Sequence, residues 1–174
     1  ADNVKSRAVV AFRRLAEVEG KLHGKPPEKI HFHEVGAVDA IVDIVGACIG
    51  LDLLGISELI CSPLNLGSGR VNAAHGSLPV PAPATSELLK GIPVYSSGIS
   101  GELVTPTGAV LVAGLATGFG PVPLMKIDRI GYGAGTADFA GHPNLLRIML
   151  GEKVAEPDRL ALSADDISAA TQVH

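Results

Sequence analysis

Glycine or proline closes nearly every apolar segment of this chain, and that punctuation limits what it can fold into. With 21 Gly and 12 Pro among 174 residues, each apolar run is short before a breaker or a charge interrupts it. Apolar residues make up 47% of the sequence but aromatics only 3%, with no Trp, so a core must be built from Leu, Val, Ile and Ala. Short aliphatic segments joined by tight turns suit a compact α/β protein better than a helical bundle. The length fits one domain with a core of its own.

Val4, Ala8, Phe12, Leu15, Val18 and Leu22 recur at helical spacing, with Arg13, Arg14, Glu17 and Glu19 between them. This predicts an amphipathic helix that ends within 20–24, and Pro26 and Pro27 stop it firmly. Residues 29–35 alternate like a strand, with Ile30 and Phe32 on one face and His31 and His33 on the other. After Gly36, residues 37–54 read as a long, almost wholly apolar helix closed by Gly55. A second strand over 59–66 leads into the turn Gly67-Ser68-Gly69. Prolines at 79, 81 and 83 forbid helix there and favour an extended path; a short helix over 84–90 and a strand over 92–96 follow. Thr105-Pro106 is a strong start for a helix reaching about 117, since Thr caps and Pro suits the first helical position. Residues 125–132 and 144–150 read as two late strands joined by GYGAGTADFAGHPN. The expectation is a single compact α/β domain of alternating strands and helices over 1–152, its sheet order unreadable, with 153–174 as a polar tail or linker.

A formal charge of −4, a pI near 5.8 and the lack of a basic stripe with interleaved aromatics argue against a nucleic-acid surface. Asp39, Asp43 and Asp52 interrupt the longest apolar run, so no membrane span is expected, and no signal-peptide pattern is read. Cys48 and Cys61 do not form a CxxC pair, and each sits in an aliphatic segment. They read as buried free thiols in a reducing compartment, which points to the cytoplasm. The sequence starts at Ala1 and runs straight into a helical pattern, as expected of a piece of a longer or processed polypeptide.

The densest chemistry lies in HFHEVGAVDAIVD, residues 31–43. Side chains two apart on a strand point the same way, so His31 and His33 make a natural half of a metal site. On the following helix, Asp39, Asp43, Gly46 and Gly50 fall on one stripe. Two like charges at i, i+4 disfavour an isolated helix by roughly 0.2–0.5 kcal/mol. Each interior glycine costs about 1 kcal/mol relative to alanine. A stripe that accepts both penalties is expected to bring a backbone or ligand close and to neutralise its carboxylates there. Plainer readings stand beside this one. Asp39 falls in the first turn, where the helix dipole favours an acid, and the two histidines would also suit the solvated face of an edge strand. Glu34 falls on Phe32's side if the strand continues that far.

Elsewhere, His75 lies in the loop AAHGSLPV and Glu102 lies just before the helix start at Thr105. That helix start, with Thr105 and Thr107, offers amide donors for a phosphate, or is an ordinary capped helix. Gly67-Ser68-Gly69-Arg70 is a second candidate anion turn, without the Lys and spacing of a P-loop. Gly131, Gly133 and Gly135 follow a strand, but no GxGxxG opens a helix, which argues against a dinucleotide fold, and no GxSxG nucleophile motif is found.

HFHEVGAVDAIVDIVGA, SPLNLGSG, AAHGSLPVPAPAT, ELLKGIPV, GELVTPTGA and IGYGAGT, in that order, resemble the middle of the LarC-type nickel-insertion proteins over about residues 2–152. The resemblance implies a lyase-type nickel chelatase. It would insert Ni(II) into a pyridinium bis-thiocarboxylate mononucleotide, in a CTP-dependent reaction, to make the nickel-pincer nucleotide cofactor of lactate racemase and related enzymes. The family motifs map onto His31, His33, Glu34, Asp39, Asp43, His75 and Glu102. His31, His33, Asp39 and Asp43 are the candidate metal ligands; Glu34, His75 and Glu102 are the candidate catalytic groups. Gly67, Ser68, Gly69, Arg70, Thr105 and Thr107 are the candidates for binding the substrate's phosphate or a cofactor. The family continues into a further C-terminal domain, where CTP and a divalent cation are expected, and also has sequence upstream. Expected partners are therefore the pyridinium mononucleotide, those missing parts of the same protein, and a further copy of the chain; no nucleic acid and no membrane. Imidazole and carboxylate form a borderline site that binds Ni(II) and can still release it, as an insertase must. Such a group could also take up the proton released when nickel bonds to the ring carbon. Two other readings stay open: a non-catalytic nickel carrier module, and a metal-dependent hydrolase.

Overall fold

A row of small and branched side chains, Ala8, Ala11, Leu15 and Val18, is buried along helix α1 (Asp2–His23), and the fold is assembled around it. The computed structural model describes residues 2–30, 38–73 and 76–154. α1 packs against α2 (Val38–Leu53), α3 (Pro83–Leu88) and α4 (Pro106–Leu115). Their inward residues, Ala40, Ile44 and Cys48 on α2, Ala84 and Leu88 on α3, and Ala109 and Val110 on α4, complete one aliphatic cluster with the α1 row. Leu22, which the spacing places on the apolar face of α1, is exposed instead. Gly24 ends α1 at φ +61°, a conformation that glycine adopts without strain.

Short strands tie distant loops together. β1 (Ile60–Cys61) pairs in parallel with β8 (Gly118–Phe119), and β2 (Leu64–Asn65) in parallel with β6 (Val94–Tyr95). β3 (Gly67–Ser68) pairs antiparallel with β7 (Gly101–Glu102), and β4 (Arg70–Ala73) antiparallel with β5 (Gly76–Pro79). The α/β class read from the sequence holds, while several details change. Pro83, expected to forbid helix, opens α3, since proline suits the first helical position. Residues 59–66 are not one strand: Pro63, which has no N–H to donate, separates β1 from β2. The strand expected from 29 does not begin there, because a 3-10 helix, Pro27–Lys29, starts on Pro27, and the Ile30 N–H donates to the Pro27 carbonyl (3.2 Å). The prediction for 31–35 lies outside the described residues. The β4–β5 hairpin is absent from the expected elements although Arg70, Val71, Asn72 and Ala73 alternate polar and apolar, exposed and half-buried; four residues beside a glycine turn are a short run on which to predict a strand.

Two compact units are distinguishable: one runs to Pro121 and includes Phe139–His142, and the other comprises Val122–Asp138 with the chain from Pro143. The second is built on a long antiparallel hairpin, β9 (Met125–Ala134) with β10 (Leu145–Lys153), close to the two late strands the sequence predicts. Of the expected tail over 153–174, Lys153 and Val154 are described and Lys153 closes β10. Among the described residues, no helix is long and apolar enough to cross a membrane.

Two features of the helical core make testable predictions. The Thr85 hydroxyl is fully buried and has no hydrogen-bond partner among the described residues. Removing an unsatisfied buried hydroxyl relieves its desolvation penalty, so Thr85→Val should raise unfolding stability by about 1 kcal/mol in denaturant titrations. Glu87 on α3 forms ion pairs with Lys21 of α1 and with Lys90. Hydrogen bonds from Lys21 and then Lys90 hold its carboxyl below the usual range, and Glu87 in turn raises the Lys21 ammonium. The Glu87 contribution to stability is therefore full above the unfolded carboxyl pKa and lost as pH falls through the lower folded value; that of Lys21 is full below the unfolded lysine pKa and lost as pH rises through the higher folded value. Stability measured across the acid range should accordingly decline less steeply in Glu87→Gln than in the parent, and equal slopes would contradict the pairing. The effect is small, because both partners are at the surface.

Candidate functional site

Two separate groups of predicted residues are described. The first is the carboxylate stripe of α2. Asp39 stands in the first turn and its Oδ1 accepts a hydrogen bond from the Ala40 N–H (2.8 Å), so it serves the helix start as the dipole argument expects. Asp43 lies one turn on, where no helix end favours an acid. Both are exposed, turned away from the buried line of Ala40, Ile44 and Cys48. The structure corrects one expectation here. Among the described residues nothing comes within 4 Å of a Cβ added at Gly46 or Gly50, so the backbone half of the backbone-or-ligand expectation is not met by them. The same helix also exposes Val38, Ile41, Val42, Ile49 and Leu53, so the carboxylates border an apolar surface.

The second group surrounds the Gly67 turn. Gly67 sits at φ +78° opposite Glu102 in the β3–β7 pair, and a Cβ there would overlap the Gly101 carbonyl oxygen. Only glycine allows so close a pairing. Ser68 Oγ donates to the Ile99 carbonyl (2.9 Å). Glu102 is thereby fixed beside the turn, with one carboxylate oxygen shielded from solvent. Gly69 takes φ +87° and leads into Arg70. The Arg70 side chain spans the β4–β5 hairpin, with Nε donating to Ser77 Oγ (2.9 Å) and Nη2 to the Ser77 carbonyl (2.5 Å). Its guanidinium braces that hairpin.

Thr105 caps α4 as the sequence predicts: its Oγ1 accepts from the Gly108 N–H (3.2 Å), and Pro106 follows at the first helical position. Pro106 has no N–H to satisfy, Gly108 donates to the cap, and Ala109 donates to the Thr105 carbonyl as the first intrahelical bond. Polar residues that the motif reading did not single out hold this region together. Asn65 Oδ1 accepts from the Gly67 and Ser97 amides (3.3 and 3.2 Å), its Nδ2 donates to Ser97 Oγ (2.7 Å), and Ser96 Oγ donates to the Gly67 carbonyl (2.7 Å). An Asn two residues before a Gly is the signal that could have found it, since it marks an Asx turn.

His31, His33, Glu34 and His75 lie outside the described residues. Among the described residues no group of three or more His, Cys, Asp and Glu is placed to hold a metal ion. A cleft of about 220 Å³ opens between α1, α2 and α4 over Cys48, with Arg7 and Gly114 among its lining, and contains none of the predicted site residues.

A family model described as nickel insertion protein matches residues 1–172. The chain belongs to that family. A relative in Geotalea daltonii, named provisionally as a nickel insertion protein, is 62% identical over 152 residues, which is 87% of this chain and 39% of the relative. A relative in Desulfitobacterium hafniense is 54% identical over 156 residues, 90% of this chain and 38% of its own, and is named a pyridinium-3,5-bisthiocarboxylic acid mononucleotide nickel insertion protein. One in Dictyoglomus thermophilum, again provisionally named for nickel insertion, is 51% identical over 154 residues. The chain spans about two fifths of the length of the curated relatives it matches. No solved structure matches it.

For a nickel insertion protein the state of the thiols matters. Burial pushes the Cys48 thiol up, opposed in part by the nearby Arg7 charge, and burial alone pushes up Cys61. Both are free cysteines, and a thiol held protonated at neutral pH is a weak metal ligand.

Proposed function

We propose that this chain carries the nickel-holding part of an insertion reaction on a pyridinium-3,5-bisthiocarboxylic acid mononucleotide. The observation that carries the reading is the pair Asp39 and Asp43, exposed one turn apart on an otherwise aliphatic helix directly after His31, His33 and Glu34 in sequence. Two exposed carboxylates beside an apolar surface suit a cation that arrives and leaves. His31 and His33 join Asp39 and Asp43 as the ligand set for Ni(II), which is the cargo. Glu34, His75 and Glu102 are the groups for taking up the ring proton as the nickel–carbon bond forms. The substrate phosphate is held by the backbone of the Gly67–Arg70 turn and by the α4 start, through the Thr107 N–H beside the Thr105 cap.

The wider reaction is the making of the nickel-pincer cofactor of lactate racemase by a lyase-type chelatase. It draws on CTP and a divalent cation bound by parts of the longer relatives beyond this match. Residues 1–152 form the shared α/β portion, and the two free thiols suit the cytoplasm.

Calorimetric titration with Ni(II), with Zn(II) as competitor, tests the ligand set. His31→Ala/His33→Ala should abolish binding, and Asp43→Ala should weaken it about tenfold while leaving the melting temperature unchanged or higher. Equal affinity in all three proteins would remove the site from this helix and strand. A carrier role is separated from insertion by supplying the mononucleotide and CTP: nickel bound without product formation marks a carrier.

A further inference from the structure

A two-stranded hairpin needs a layer against it to be stable in water. In the unit built on β9 and β10, none of the described residues is buried, and every member of the aliphatic core belongs to the other unit. The register sorts the hairpin's side chains into two faces. Ile130, Tyr132, Leu145 and Met149 share one of them, with Ile127 continuing it beyond the bulge that leaves Asp128 as the extra residue. Leu146 and Ile148 stand on the opposite face, each across from a glycine, Gly133 and Gly131, where an added Cβ would meet only open space. Leu146 is 67% and Tyr132 63% exposed, so large apolar groups are bare on both sides. Arg147 shares the first face with Tyr132, and Lys126, Arg129 and Glu152 lie on the second, which is apolar only towards the loop end of the hairpin. A solvated antiparallel sheet alternates apolar and polar faces; a stretch with bare aliphatic groups on both is built to be covered.

We infer that the loop end of the β9–β10 hairpin is covered on both faces by the additional polypeptide of the longer family members. A second copy of this chain is a poor substitute. One face of such a hairpin measures about 30 Å by 10 Å, so two copies stacked face to face would bury about 600 Å², well under the roughly 1,200–2,000 Å² of stable associations. Cover from within the same polypeptide escapes that requirement, because no separate molecule has to be immobilised. Roughly three fifths of each relative's length lies outside the match and supplies ample sequence for it.

Hydrogen–deuterium exchange on this chain and on the complete Geotalea daltonii relative, each at two protein concentrations, tests the inference. In the relative, amides aligned with β9 and β10 should exchange about tenfold slower or more than in this chain, at both concentrations. Equal exchange in the two proteins would overturn it. Protection in this chain that grows with concentration would overturn it too, by assigning the cover to a second copy. Leu146→Lys in the relative should then speed exchange across both strands, whereas an uncovered hairpin would be indifferent to it.

Discussion

Gly67→Ala should destabilise the protein by about 3 kcal/mol or more, measured by denaturant unfolding. Two effects add. The left-handed conformation at φ +78° disfavours a side chain by roughly 1–2 kcal/mol. The new Cβ also overlaps the Gly101 carbonyl oxygen, which is backbone and has no rotamer to escape into. The β3–β7 pair must open to admit it, carrying Glu102 away from the turn. Gly69→Ala provides the control: its φ is +87°, but the nearest atom to a Cβ there is Ser100 Oγ at 3.4 Å, ordinary contact. That variant should lose only the conformational part, about 1 kcal/mol. Equal losses would show that the close approach at Gly67 contributes nothing.

Leu15→Ala should cost about 3–5 kcal/mol. The side chain is fully buried in the middle of α1, which packs against α2, α3 and α4, and it belongs to the aliphatic cluster those helices share. A cavity within a cluster built from four helices is closed only by moving whole helices. Leu22→Ala, on the same helix and exposed, should change stability by less than about 0.5 kcal/mol. Thermal and denaturant unfolding of the two variants side by side separates a cavity effect from a general loss of helix propensity.

What was legible in the sequence was whatever repeats locally. α2 shows its length through an apolar run closed by Gly55, and the Asp39 and Asp43 stripe follows from a period of 3.6 residues. Thr105-Pro106 announced α4 because capping is a three-residue event. The short strand pairs were illegible for the opposite reason. Gly67 meets Glu102, and Leu64 meets Val94, through partners remote in sequence, and two residues are too few to set up an alternation. Arg70 was readable as a cation near a glycine turn, but not as the brace of a hairpin, since Ser77 sets that role from across β5. The expected neighbour of Gly46 and Gly50 was inferred from their penalty alone, and nothing closes on them among the described residues.

The two-residue pairs carry a consequence for the order of folding. The contact between Leu59 and Thr117 closes a separation of 58 residues, and that between Asn65 and Ser97 one of 32. Closing loops of that size is entropically expensive and is repaid here by only a few hydrogen bonds, so these joints form after the helices have met. By the same balance they are the first to part in the native state, while Leu15 and its neighbours stay packed. The neighbourhood of Gly67 and Glu102 can therefore open and reclose many times within the lifetime of a single folded molecule, a rhythm set by short joints rather than by the core.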